Sequence, residues 1–159
     1  MLVLGVDPGT AVTGWGLVRT DGRRLRAEGF GVIRTAASSP LEERLAEVYK
    51  GIGALLDRER PDLLAVENPF TAKNAHSALL LGQARGVVVA AGAARGVPVR
   101  GYSPREVKVA VTGDGGAGKE QVQDMVKILL KLDAIPKPAD ASDGLAVAIC
   151  SISSGWATG

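Results

Sequence analysis

Asp7 ends the apolar run Leu2-Val3-Leu4-Gly5-Val6, and Glu67 ends a second, Leu63-Leu64-Ala65-Val66. Asp140 and Asp143 stand three apart where the apolar segment Leu145-Ala146-Val147-Ala148-Ile149 begins. An apolar strand that ends in an acid delivers that acid to a site at the sheet edge. Residues i and i+3 share one face of a helix, so Asp140 and Asp143 point the same way. Carboxylates brought within a few ångströms push one another's pKa up, and a divalent cation reverses that. An all-oxygen donor set selects hard cations, Mg²⁺ or Mn²⁺, over zinc. A single His (His76) and a single Cys (Cys150) are too few for the usual zinc sites. Two hard cations about 3.5–4 Å apart can deprotonate a water and stabilise both oxygens of a phosphodiester displacement. Simpler roles stand beside this one. Asp140 could cap a helix whose dipole favours an anion, and Asp7 could serve the turn Pro8-Gly9-Thr10.

Other residues bear on the same chemistry. Phe70, in Asn68-Pro69-Phe70-Thr71, follows Glu67 by three residues, with Lys73 just beyond. It has two readings: a ring that stacks on or wedges against a nucleobase, or a core aromatic that anchors the loop. Gly113-Asp114-Gly115-Gly116-Ala117-Gly118-Lys119 nearly matches the phosphate-binding G-x-x-x-x-G-K-[ST], but Glu120 stands where a hydroxyl should hold Mg²⁺. The better reading is a flexible basic loop, with Lys108 before it and Lys119 after it, that contacts nucleic-acid phosphates. His76 belongs on the exposed start of a helix. Cys150, among Ile149 and Ile152, reads as a small core residue.

The elements that must position these groups follow from patterning. Residues 2–7, 13–19 and 24–35 read as three strands with short connections, the second marked by the turn Thr20-Asp21-Gly22, hence an antiparallel meander. Leu41, Leu45, Val48, Ile52, Leu55 and Leu56 keep one face of a helix over 41–60, between Pro40 and Pro61. A strand at 62–67 follows. A helix over 74–94 carries Ala75, Ala78, Gly82, Gly86 and Ala90, which permit close approach of another helix from this chain or a second copy. A strand at 97–102, a short helix from Ser103, a helix at 119–132 and a final helix from about Asp140 complete the chain. Strands followed by alternating helix and strand predict an α/β fold whose sheet mixes parallel and antiparallel pairs.

A length of 159 residues favours one domain spanning 1–159. Aromatics are 4% of the chain, so the core must be built from Ala, Val, Leu and Ile. No apolar run approaches the roughly 20 residues of a membrane helix. The N-terminus lacks a signal-peptide pattern, and one cysteine fits a reducing cytoplasm. The net charge of +2 is uneven: residues 71–139 hold ten Lys/Arg against five Asp/Glu, whereas the tail from 140 holds two Asp and no base. A basic middle beside clustered acids suits a polyanion that must meet metal-bound carboxylates.

Seven segments together resemble the RuvC family, bacterial Holliday-junction resolvases of the ribonuclease H-like superfamily. They are Leu4-Gly5-Val6-Asp7-Pro8-Gly9-Thr10, Thr13-Gly14-Trp15-Gly16, Val66-Glu67-Asn68-Pro69-Phe70, Ala72-Lys73-Asn74, Leu81-Gly82-Gln83-Ala84-Arg85-Gly86, Val122-Gln123-Asp124-Met125-Val126 and Ala139-Asp140-Ala141-Ser142-Asp143-Gly144-Leu145-Ala146. The resemblance implies a ribonuclease H-like mixed five-stranded sheet, its first three strands antiparallel and the rest parallel, flanked by helices on both faces. It implies a homodimer that binds a four-way DNA junction and cuts two strands symmetrically, leaving 5′-phosphate and 3′-hydroxyl ends, in concert with the branch-migration motor of RuvA and RuvB. Asp7, Glu67, Asp140 and Asp143 would be the catalytic ligands of two Mg²⁺ or Mn²⁺ ions. Phe70 would probe a base near the crossover, Lys108 and Lys119 would sit near the scissile phosphate, and Lys73 would contact the backbone. Asn68-Pro69 departs from the family pattern and would stiffen the Phe70 loop. Some related proteins carry histidine where Asp143 stands, so the all-carboxylate version applies here. Two other classes compete with this reading: an actin-like phosphotransferase, which shares an Asp-Pro-Gly-Thr hairpin, and a junction-binding scaffold without chemistry.

Overall fold

The computed structural model describes residues 1–69 and 74–155. Five strands form one sheet: β1 (Leu2–Asp7), β2 (Val12–Thr20), β3 (Leu25–Arg34), β4 (Leu63–Glu67) and β5 (Val99–Tyr102). The spatial order is β3-β2-β1-β4-β5. β1–β2 and β2–β3 are antiparallel, and β1–β4 and β4–β5 are parallel. This is the mixed sheet that the sequence predicts. Five helices pack on it: α1 (Leu41–Glu59), α2 (Ala75–Ala93), α3 (Pro104–Thr112), α4 (Lys119–Leu129) and α5 (Ala139–Ser153).

Strand periodicity sorts the core into two layers. Leu2, Leu4 and Val6 of β1 join Leu64 and Val66 of β4 in a cluster with Val48, Ile52, Leu55 and Leu56 of α1 and Val88 and Ala91 of α2. Val3, Leu63 and Ala65 face the other way, into a cluster with Val107, Val111, Val122, Val126 and the apolar length of α5. Helices therefore cover both faces. Asp7 continues the series Val3, Gly5, and Glu67 continues Leu63, Ala65, so both acids belong to the α5 side.

Helix α5 lies directly on the sheet, and glycine makes this possible. A Cβ on Gly5 would stand 2.2 Å from the Gly144 carbonyl oxygen and 2.4 Å from the Ala148 nitrogen. From the other side, a Cβ on Gly144 would meet the Trp15 backbone at 2.5 Å. Helix and strands touch backbone to backbone, and the Tyr102 hydroxyl ties β5 to Ser151 of α5 at 3.1 Å.

Most boundaries differ from the pattern reading by a residue or two, and three have a visible cause. α4 stops at Leu129, not 132, because Lys131 takes a left-handed φ of 52° and the Leu132 N–H returns to the Lys127 carbonyl. That is a helix stop normally marked by glycine, so the sequence carries no sign of it. β5 begins at Val99, not 97, since the Val97 N–H is still bonded to Gly92 at the helix exit. β4 begins at Leu63 because Asp62 is spent on the strand edge, where its Oδ2 accepts the Leu2 N–H at 2.7 Å.

Gly5→Ala is expected to lower stability by about 3 kcal/mol, the upper end of overpacking costs, because the atoms it meets are backbone and cannot rotate away. Urea unfolding of the purified variant measures this. An unchanged midpoint would show that α5 does not rest on β1 as closely as described.

Candidate active site

Asp7 and Glu67 end adjacent parallel strands. The register pairs Val6 with Val66, so the two acids emerge side by side at the carboxyl edge of the sheet. Helix α5 begins above them, after Pro138. Pro138 is the cap residue, and Asp140 lies in the first turn, where the helix dipole also favours an acid. Asp143, one turn on, points into a cleft of about 360 Å³ that Asp7 and Glu67 also line. Lys108 of α3 and Lys119 of α4 line the opposite wall.

Local sequence explains why the lysines arrive there. Ser103 and Glu106 form a reciprocal capping box that starts α3 at Pro104, putting Lys108 one turn into the helix. Gly113 takes a left-handed φ of 80° to end α3, and Gly118 caps α4, making Lys119 its first residue. The glycine loop between them is closed on itself. Asp114 Oδ1 accepts the Gly116 N–H at 2.8 Å, and the Asp114 carbonyl accepts that of Ala117. The N–H groups of Asp114, Gly116 and Ala117 are thus engaged within the loop itself.

The electrostatics are those of a site short of positive charge. Asp7 is pushed up to about 7, first by burial, then by repulsion from Asp143 and Asp140, with Lys119 opposing. Glu67 is pushed up to about 8 by burial and by the charges of Asp7 and Asp143, with Lys108 and Lys119 opposing. Asp143 is also raised, by burial, against the pull of Lys119. The Lys119 ammonium stands 3.7 Å from Asp143 Oδ2. Among the described residues no three His, Cys, Asp or Glu side chains are already closed into a metal cage. Oxygen-only, and raised first by burial and then by mutual repulsion, these carboxylates are of the donor type that a hard divalent cation takes.

Five of the residues singled out from sequence therefore meet in one cleft: Asp7, Glu67, Asp143, Lys108 and Lys119. Asp140 does not line it but lies close enough for its charge to act on Asp7 and Asp143. Phe70 and Lys73 fall outside the described residues. His76 is exposed on α2, and Cys150 is buried, its thiol pushed up to about 11, consistent with a core role. Sequence reading assigned no role to Arg85, whose Nε donates to Asn68 Oδ1 at 2.6 Å while the Asn68 N–H bonds the Tyr102 carbonyl at 2.7 Å. Those two bonds brace the chain immediately after Glu67. The available signal was an arginine on a helix otherwise almost free of charge.

A mixed five-stranded sheet with acids at the carboxyl edge of its central strands, completed by acids from a covering helix, defines the ribonuclease H-like class of metal-dependent nucleases. The family model of the crossover junction endodeoxyribonuclease RuvC matches residues 3–151. The RuvC of Chloroflexus aggregans is 50% identical over 150 residues, covering 94% of this chain and 92% of the relative. The Thermus thermophilus RuvC structure superposes with a TM-score of 0.88 at 35% identity, over 96% of this chain and 94% of that one. T. thermophilus RuvC in complex with Holliday junction substrate superposes at 0.89 and 36% identity, over 94% and 92%. The chain belongs to the RuvC family of crossover junction endodeoxyribonucleases, which are divalent-metal nucleases. Membership displaces both the phosphotransferase and the non-catalytic scaffold.

The raised acids set a sign for stability against pH. Asp7 and Glu67 ordinarily titrate near 3.8 and 4.5. Between those values and about 7 to 8 the folded, metal-free protein holds protons that the unfolded chain has released. Their contribution to stability is full at low pH and falls as pH rises through that window. In EDTA, the Tm advantage of an Asp7→Asn/Glu67→Gln variant over the parent should therefore grow from pH 5 to pH 8, and added Mg²⁺ should reduce it. Parallel Tm curves would contradict the charge deficit.

Proposed function

We propose that this chain resolves Holliday junctions by hydrolysing two phosphodiesters at symmetric positions, in homologous recombination and DNA repair. A single domain over residues 1–159 would carry one active site, in the cytoplasm. The observation that carries the reading is the convergence of Asp7, Glu67 and Asp143 in one cleft facing Lys108 and Lys119. We assign the metal to Asp7, Glu67, Asp140 and Asp143, as two Mg²⁺ (or Mn²⁺) ions. When bound, such ions activate water and stabilise the attacking and leaving oxygens of a phosphodiester displacement.

The protein's own groups supply the rest. Lys119, whose ammonium stands 3.7 Å from Asp143 Oδ2, would be available to a phosphate oxygen if cations took over the neutralisation of Asp7, Glu67 and Asp143. Lys108, on the same wall, offers a second positive charge to the scissile phosphate. We assign both lysines charge compensation at the scissile phosphate. The products carry 5′-phosphate and 3′-hydroxyl ends. To Phe70 we assign a stacking contact at the crossover and to Lys73 a contact with the DNA backbone; Asn68, two residues before Phe70, is held by Arg85.

Two symmetric cuts call for two copies related by a two-fold axis. Helix α2 supplies a surface for this. Its Ala75, Ala78, Leu79, Gly82, Gly86 and Ala90 are exposed, with Leu79 60% so. Nothing stands within 4 Å of a Cβ on Gly82 or Gly86, so the small residues are not explained by packing among the described residues. We assign this face to the homodimer. The branch-migration motor of RuvA and RuvB would present the junction.

Asp7→Asn is expected to abolish cleavage of a synthetic four-way junction in Mg²⁺ while gel-shift affinity for the junction persists. Retained cutting would remove Asp7 from the metal set. Lys119→Ala should lower the cleavage rate by about a hundredfold or more, the scale of a lost transition-state charge contact, with binding changed far less. For the dimer, Leu79→Arg/Gly86→Arg should shift sedimentation to the monomer and uncouple the two incisions. A variant that still sediments as a dimer would place the interface elsewhere.

A further inference from the structure

The β2–β3 hairpin lies at the end of the sheet opposite the acids. Arg19 pairs with Leu2, whereas Asp7 pairs with Gly14, so about 17 Å of strand separate the two ends. The largest cleft described there, about 720 Å³, has a basic rim formed by Arg19, Arg23, Arg24, Arg26 and Lys131. That volume lies in the range, about 300–1,000 Å³, of sites that enclose a ligand. The Met1 ammonium adds a charge nearby, donating to the Thr20 carbonyl at 2.9 Å.

This charge is built in and only partly answered. Asp21 Oδ1 is committed to the turn, accepting the backbone N–H groups of Arg23 at 2.8 Å and Arg24 at 2.9 Å. Glu28 takes Arg19 at 3.0 Å and reaches Arg26 only at 4.0 Å. Arg23 and Lys131 enter no ion pair among the described residues. Lys131 stands in the rim because the left-handed stop of α4 turns the chain there.

The floor decides the kind of partner. Between the arginines the lining includes Leu25 and Leu129, each half-buried against the core, and the buried Leu130. A nucleic-acid backbone offers phosphates alone and leaves such a floor unused. A peptide with acids flanking large apolar side chains satisfies both, because guanidinium forks take carboxylates and the leucines take the anchor. We propose that this groove docks an acidic segment bearing large apolar side chains from a partner protein. It stands apart from the nuclease cleft and does not depend on the assignments made there.

The test uses the full chain and a fluorescein-labelled peptide, Asp-Asp-Glu-Leu-Leu-Phe, followed by fluorescence anisotropy. Saturable binding is expected, at least about tenfold weaker for the Arg23→Glu/Arg24→Glu protein, the scale of a lost interface arginine. A peptide with serine in place of its three apolar residues should bind comparably weakly. Junction cleavage by the double variant should match the parent, which shows it folded. Leu129→Ser should weaken the peptide without changing the rim charge. No saturable binding to the parent overturns the proposal. So does equal binding of the serine peptide, or loss of junction affinity in the Arg23→Glu/Arg24→Glu protein, since these mark a plain polyanion surface.

Discussion

The backbone contact between α5 and the β1–β2 floor is the constraint from which the site follows. Asp140 and Asp143 can approach Asp7 and Glu67 only if the helix that carries them lies against the strands without intervening side chains. Glycines at positions 5, 14, 16 and 144 remove those side chains. Dense apolar burial along the rest of α5 supplies the force that holds the helix there. Mutual repulsion of the acids opposes it at one end. The packed helix dominates because its burial runs unbroken from Gly144 to Ser151, while the repulsion is local and is opposed by Lys119.

The same balance explains why the cleft is ready for cations without already resembling a cage. Asp7 and Glu67, held at strand ends, have their pKa values raised first by burial and then by neighbouring acids. Lys119, on the first turn of α4 and largely exposed, is the mobile cation in this arrangement. Its pairing with Asp143 is long and open to solvent, which makes it easy to exchange.

Much of this was legible from residue order. Apolar runs ended by acids marked β1 and β4 as the strands that present Asp7 and Glu67, because side-chain alternation is a property of the strand itself. The i, i+3 spacing of Asp140 and Asp143 placed them on one helical face for the same local reason. The stop of α4 at Leu129 was not legible, because Lys131 adopts a left-handed conformation that the pattern associates with glycine. The Arg85–Asn68 brace was also hidden. It joins residues seventeen positions apart on different elements, and nothing in either local stretch names the other.

By itself the sequence determined which residues could do chemistry and on which kind of element each would sit. Those are short-range matters of periodicity, turn residues and charge. Only the tertiary structure decided that the acids share one field, that Lys108 and Lys119 face it, and that Asp140 acts from its margin. It also decided that the arginines of the β2–β3 hairpin surround a leucine floor supplied partly by α4. Each of these requires segments distant in the chain to be set against one another, and that setting is decided by how the two faces of the sheet are covered.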